Sequence, residues 1–126
     1  MFLQYYVTES TTGNRVNIEI NAATKTDLDA TRNGWQTVWN TDFILDPQKE
    51  KYAAKTEDGE IIALGAYRVR KGSVAVYIAY IESQPESNPT LVEHKKYSGI
   101  GKAMIAFGIQ LSIDASCNGV VVFEAK

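Results

Sequence analysis

The segment KYSGIGKA, residues 96–103, decides how this chain is expected to fold, because it lies between an apolar run and a long amphipathic one. Residues 74–81 are almost continuously apolar, which is typical of a strand buried on both faces. Residues 101–117 carry a wide apolar stripe at helical spacing, so they predict a helix that packs on a sheet. Two glycines at the junction, Gly99 and Gly101, would let the backbone amides of the helix start approach a bound anion closely. The segment therefore predicts a phosphate cradle, with a simple strand-to-helix turn as the alternative.

Composition limits the class of protein. The chain has 126 residues, enough for one domain with a real hydrophobic core. Its net charge is −2 and its charged residues are interspersed, which argues against a nucleic-acid-binding or membrane-surface protein. No apolar run is long enough to span a bilayer, and the N-terminus lacks the basic flank of a secretory signal. The single cysteine, Cys117, cannot form an internal disulfide, so we expect a cytoplasmic, single-domain protein.

Periodicity and turn signals predict the other elements. Residues 14–20 alternate apolar and polar side chains, so they predict a strand with one buried face. The Asp-Gly pair at 58–59 and the Lys-Gly pair at 71–72 are turn signals between strands. Residues 26–29 are the candidate cap of a short helix, and residues 120–123 read as a last, buried strand. The predicted order is strand, two helices, three antiparallel strands, helix and strand, at residues 14–20, about 26–34, 35–39, 51–55, 61–69, 73–81, 101–117 and 120–123.

Residues 96–101, KYSGIG, resemble the Arg/Gln-x-x-Gly-x-Gly/Ala segment of GNAT-type N-acetyltransferases, with Lys at the first position. The similarity is clearest over residues 59–126, and YIES at 80–83 and VFEAK at 122–126 resemble a bacterial subgroup of unassigned substrate. The resemblance implies an α/β (α+β) domain with the GNAT-like acyl-CoA N-acyltransferase fold. Its central sheet would be mixed and mostly antiparallel, flanked by helices, in the order β-α-α-β-β-β-α-β.

The same resemblance implies an acetyl-coenzyme A site and no metal. In such folds the strand before the glycine segment offers its backbone to the pantetheine arm, and the pyrophosphate rests on the amides of the segment itself. Lysines at its rim would add positive charge. The implied cofactor-binding residues are Tyr80, Ile81, Lys96, Tyr97, Ser98, Gly99, Ile100, Gly101, Lys102 and Ala103.

The implied activity is transfer of an acetyl group from acetyl-coenzyme A to a primary amine of a small molecule or protein. We expect direct transfer in a ternary complex, since no good nucleophile is evident. Glu82 resembles the position of the family's glutamate base, with an ordinary charged strand end as the alternative. His94 is expected to be a solvated loop residue and Cys117 a core residue. The competing functions are a catalytically inactive coenzyme A-binding or assembly module, and a structural domain that binds nothing.

The chain departs from the family pattern at two places. Residues 81–96 form a longer connection than usual, which either contacts the acceptor or is a tolerated insertion. The sequence also stops at Lys126, just after the fifth predicted strand, where a family member would continue with a helix, which often carries a tyrosine general acid, and two more strands. We therefore expect one domain over residues 1–126 without the C-terminal end of the fold. Three explanations are open: a shortened chain, a homodimer that completes the sheet, or a module without turnover.

Overall fold

A computed structural model describes residues 4–39 and 46–124 and has an α+β fold. Seven strands form one mixed, mostly antiparallel sheet that curls into a half-barrel, with two helices packed on it. The chain also contains two short 3-10 helices, at Ala30–Arg32 and Pro85–Ser87. The strands are β1 (Tyr5–Glu9), β2 (Arg15–Ala22), β3 (Glu50–Thr56), β4 (Ile61–Arg68), β5 (Val76–Ser83), β6 (Tyr97–Ser98) and β7 (Val121–Phe123), and the helices are α1 (Lys25–Asp29) and α2 (Ile100–Asp114).

The sheet order is β6-β1-β2-β3-β4-β5-β7, and every neighbouring pair is antiparallel except β5 and β7. A parallel pair needs a crossover connection, and α2 provides it by packing against β5, β4 and β1. The predicted apolar strand, long helix and final strand are thus one βαβ unit. The mixed, mostly antiparallel sheet and the order of its central elements are confirmed.

Helix α2 covers one face of the sheet and forms most of the core with it. Met104 and Tyr67 are fully buried there, and the Tyr67 hydroxyl donates to the Met104 carbonyl oxygen at 2.8 Å. Gly65 on β4 makes room for this contact. A methyl group at that position would lie 2.7 Å from Tyr67 Cε1 and 2.9 Å from Met104 Cε.

The opposite face is covered by α1 and the chain that follows it. Thr24 caps α1 in a capping box with Asp27, two residues before the predicted cap at 26–29. Lys55 on β3 forms a 2.9 Å ion pair with Asp27, which ties the helix to the sheet. Leu28 and Trp39 are buried against Leu64 on this face.

Three sequence predictions are wrong. Residues 35–39 are not helical, because hydrogen bonds from Gln36 and Thr37 to Glu82 and from Trp39 to Thr31 hold them in an irregular conformation. The final strand is not buried: Phe123 is 58% exposed, because β7 is an edge strand that pairs with β5 over three residues. Helix α2 ends at Asp114 and not at the predicted residue 117, since Ser116 and Asn118 adopt left-handed φ values of 61° and 60°. Gly119 is left-handed, as predicted. Strands β1 and β6 had not been predicted at all.

Gly65→Ala is expected to destabilise the protein, since the added methyl group overlaps the buried Tyr67 ring and the end of Met104. Overpacking of this kind costs about 1–3 kcal/mol, to be measured as a loss of unfolding free energy in urea. Gly101→Ala is the matched control, because nothing lies within 4 Å of a methyl group placed there. Equal stability of the two variants would contradict this account of the core.

Candidate functional site

The start of α2 is open, and its first amides have no helical partner. Gly99 is the N-cap residue, with a left-handed φ of 87° and no side-chain cap, and its carbonyl accepts the first helical bond from Ala103. The amides of Ile100, Gly101 and Lys102 therefore lack partners within the helix. A Cβ atom at Gly101 would meet nothing within 4 Å, so the side of the helix start that Gly101 presents is open. Gly99 shapes the turn, whereas Gly101 has no such conformational reason and leaves room for a bound group.

The chain just before the helix is anchored by Glu60, at the entrance to β4. Its carboxylate accepts hydrogen bonds from Lys96 Nζ at 2.8 Å, the Tyr97 hydroxyl at 3.0 Å and Gln84 Nε2 at 3.0 Å. The Tyr97 amide donates to Ser87 Oγ at 3.1 Å. Lys96 and Tyr97 are thus used to hold the segment in place, and their contact with a cofactor stays a prediction.

Beyond Ile78, one side of β5 is paired by none of the described residues, and this side is called the open edge below. The pairing of β5 with β7 ends at Ile78, whose carbonyl oxygen accepts a hydrogen bond from the Glu124 amide. On the other side of β5, Ala79 is a bulge residue in the ladder with β4. The Gln84 amide donates a hydrogen bond to the Ile62 carbonyl oxygen on β4. Because the peptide groups of successive residues in a strand point to opposite sides, those of Ile81 and Ser83 point away from β4. Among residues 4–39 and 46–124, no strand or backbone hydrogen bond covers that side of them.

The open edge and the helix start are neighbours. Ile81 packs against the buried cluster that contains Ile100, Ala103 and Met104. Tyr80, on the same stretch of strand, shares a 2.9 Å hydrogen bond with Thr37 through its hydroxyl. The structure therefore places Ile81 beside the cluster at the start of α2, whereas the Tyr80 and Glu82 side chains contact Thr37 and Trp39 on the opposite face of the sheet.

Glu82 is buried beneath the segment that follows α1. Its carboxylate accepts hydrogen bonds from the Gln36 amide at 2.7 Å, the Thr37 amide at 3.3 Å and the Trp39 indole at 2.9 Å. A carboxylate has about four lone-pair sites, so three donors leave little capacity for a proton-transfer partner. In this structure Glu82 anchors residues 36–39, and its role as a general base stays a prediction.

A cavity of about 570 Å³ lies between β1 and the first turns of α2. Four of the predicted cofactor-binding residues line it, on the helix side. The opposite wall comes from β1, which sequence reasoning missed, although the run YYVT at 5–8 is rich in strand-forming residues. The lining residues are Gln4, Tyr5, Tyr6, Val7, Thr8, Ser98, Gly99, Lys102, Ala103 and Ala106.

The other candidates do not join this site. His94 is exposed in the 84–96 connection, and Cys117 is a buried free thiol that contacts the Arg70 carbonyl oxygen at 3.4 Å. Within the described residues, no three His, Cys, Asp or Glu side chains are grouped as metal ligands would be. The helices in the described part of the chain are too short or too polar to cross a membrane.

The sequence matches no protein-family profile, and no curated protein is significantly similar to it. The resemblance to N-acetyltransferases therefore depends on the motif residues of the sequence alone.

Glu60→Gln is expected to lower stability, because it removes the charged acceptor of the Lys96, Tyr97 and Gln84 bonds. Burial raises the pKa of Glu60, but these hydrogen bonds outweigh it and hold the pKa below its usual value of 4.5. The stabilisation is therefore full above pH 4.5 and is lost as pH falls through the lower, folded pKa. Since Lys96 is largely exposed, we expect a loss of about 1 kcal/mol at pH 7.

Urea unfolding at pH 7 and at pH 3 tests this pH dependence. The difference in stability between Glu60→Gln and the unmodified protein should shrink at the lower pH. Glu57→Gln is the control, since Glu57 is exposed in the adjacent turn. A Glu60→Gln deficit that is unchanged at pH 3 would refute the role of the charged carboxylate.

Proposed function

We propose that this chain has a GNAT-like acyl-CoA N-acyltransferase fold, binds acetyl-coenzyme A and acetylates a primary amine. The observation that carries the proposal is the side of β5 beyond Ile78 that no described residue pairs with, together with the uncapped start of α2. This arrangement leaves an open strand edge and a set of unpaired amides next to each other. A ligand with an extended amide chain joined to a diphosphate matches both features.

Binding would use the backbone more than side chains. The peptide groups of Ile81 and Ser83 can pair with the amides of the pantetheine arm, as a peptide adds to a sheet edge. The amides of Ile100, Gly101 and Lys102, at the positive end of the helix dipole, can bind the pyrophosphate. The exposed Lys102 side chain adds a positive charge at this end.

Acetyl transfer forms a bond between the amine nitrogen and the carbonyl carbon and breaks the carbon–sulfur bond, while the amine loses a proton and the thiolate gains one. Acetyl-coenzyme A supplies the activated thioester. The chain would hold the acyl group at the end of β5, where backbone amides can polarise the carbonyl. Glu82 is the candidate base for the amine proton, directly or through water.

A second candidate function is a coenzyme A-binding module without turnover. It is favoured by the three donors that already engage the Glu82 carboxylate. Both functions share the same cofactor site and differ only in whether Glu82 can accept a proton from an acceptor amine.

Gly101→Ala tests the cofactor site. The methyl group meets nothing in the protein, and alanine favours helix over glycine by up to about 1 kcal/mol, so stability should be unchanged or higher. The same methyl group would occupy the space beside the amides, so coenzyme A affinity measured by calorimetry should fall about tenfold or more.

Ile113→Ala, at an exposed position near the end of the same helix, is the control and should leave affinity unchanged. Absence of heat from coenzyme A at millimolar concentration with the unmodified protein would rule out the cofactor site. A Gly101→Ala variant with full affinity would rule out the pyrophosphate position.

Glu82→Gln separates catalysis from anchoring. The amide replaces one acceptor oxygen by an NH₂ group that faces N–H donors, so a loss of about 1–3 kcal/mol of stability is expected. Thiol release from acetyl-coenzyme A with a panel of amines should fall by at least about a hundredfold if Glu82 is the base.

Thr37→Ala is the companion variant, since it leaves Glu82 intact and removes the Thr37–Tyr80 side-chain bond in the same segment. It should retain turnover. Equal turnover in Glu82→Gln and the unmodified protein would leave anchoring as the only role of Glu82, and absence of turnover in both, with coenzyme A bound, would favour the binding module.

A further inference from the structure

Residues 34–38 form a segment, called the strap below, that lies over the carboxylate of Glu82. The Gln36 amide donates a hydrogen bond to Glu82 Oε2 at 2.7 Å, and the Thr37 amide donates one to Oε1 at 3.3 Å. Glu82 is only 4% exposed, whereas Gln36, which contacts it, is an exposed residue. The strap therefore separates this carboxylate from solvent.

The two ends of the strap are held to different degrees. Trp39, which follows it, is fully buried, donates its amide hydrogen to Thr31 Oγ1 at 2.8 Å and packs its ring 5.4 Å from that of Tyr80. Gly34, which begins it, is exposed and has a left-handed φ of 91°, a region that glycine enters without steric cost. Gly34 is thus suited to be a hinge and Trp39 to be a fixed anchor.

Side-chain hydrogen bonds also hold the strap closed. Gln36 Oε1 accepts one from Asn88 Nδ2 at 3.0 Å, and Asn88 belongs to the long connection between β5 and β6. The hydroxyl groups of Thr37 and Tyr80 share another at 2.9 Å. Each of these bonds is neutral and contributes little net stability, so breaking them requires far less free energy than unfolding the sheet. The strap can therefore open while Trp39 stays in place.

Opening of the strap would free one oxygen of the Glu82 carboxylate. Within the described chain, Oε2 accepts one hydrogen bond, from the Gln36 amide, whereas Oε1 also accepts one from the Trp39 indole at 2.9 Å. With the strap open, the indole still orients the carboxylate, and Oε2 can accept a proton. Glu82 lies between Ile81 and Ser83, the residues of the open edge, so a base at this position adjoins the proposed acyl site along the strand.

We propose that the strap is an autoinhibitory element of this chain. In its closed form its backbone amides occupy Glu82, and in its open form Glu82 accepts the proton of the acceptor amine. The inference rests on the proposed function, and it gives the long connection at 84–96 a regulatory role through Asn88. Because transfer requires the open form, turnover is proportional to the fraction of molecules in which the strap is open.

Amide hydrogen exchange followed by NMR tests the strap without an assay of activity. In the unmodified protein, the Gln36 and Thr37 amides should exchange through a local opening, at a rate that low urea concentrations do not change. The Gln84 amide, which is bonded to β4, should exchange more slowly, and its exchange should become faster with urea. Gln36→Ala removes the bond to Asn88 and keeps the backbone amide, so the protection factor of the Thr37 amide should fall about fivefold.

Val38→Ala is the control, since Val38 is an exposed strap residue whose side chain can form no hydrogen bond. It should leave the protection of Thr37 unchanged. If Thr37 exchanges only as slowly as Gln84, both in Gln36→Ala and in the unmodified protein, the segment opens only with the sheet and the strap is refuted.

Thiol release from acetyl-coenzyme A with a panel of primary amines gives the second readout. Gln36→Ala should raise turnover about fivefold, and this gain should disappear when Glu82→Gln is added. If the strap opens more often but turnover is unchanged, autoinhibition is refuted while the proposed function stands. Absence of turnover even in Gln36→Ala, with coenzyme A bound, would refute both.

Discussion

Strands β5 and β7 run parallel, and a parallel pair can be joined only by a chain that crosses over one face of the sheet. Helix α2 is that crossover, and its position accounts for most of the structure. Its buried side supplies Met104 to the core, and Gly65 on β4 leaves room for it. Its first residues lie near β1 and its end near β7, so the sheet must curl around it. The uncapped helix start and the cavity beside it follow from this crossover.

Two acidic side chains connect the loops to this framework. Glu60 holds the segment that leads into α2, and Glu82 holds residues 36–39 against the opposite face. Each carboxylate accepts three hydrogen bonds from residues distant in sequence, and the buried Glu82 in particular would be costly to leave unpaired. The long connection at 84–96 is therefore structured at both ends, where Gln84 and Lys96 share Glu60.

The candidate site is built almost entirely from backbone groups. The Ile81 and Ser83 peptides at the strand edge and the first amides of α2 offer donors and acceptors without a charged cluster. Such a site suits a long, amide-containing anionic ligand better than a compact one. The proposed catalytic role of Glu82 has less support than the proposed binding site, because its buried carboxylate already accepts three hydrogen bonds from residues 36–39.

Strands β2 to β5, helix α2 and the glycine junction at 99–101 could be predicted from the sequence, because their periodicity or turn chemistry is strong. These depend on local alternation, helical spacing and glycine conformation, which neighbouring residues encode. That residues 35–39 are not helical depends on the tertiary fold, because Glu82, over forty residues away, accepts hydrogen bonds from the Gln36 and Thr37 amides. The strand and cavity wall at residues 5–9 also depend on the tertiary fold, because pairing with β2 and β6 and packing against α2 stabilise them. Contacts between residues distant in the chain leave no periodic pattern, and for that reason the site's second wall and the partners of Glu82 could not be predicted.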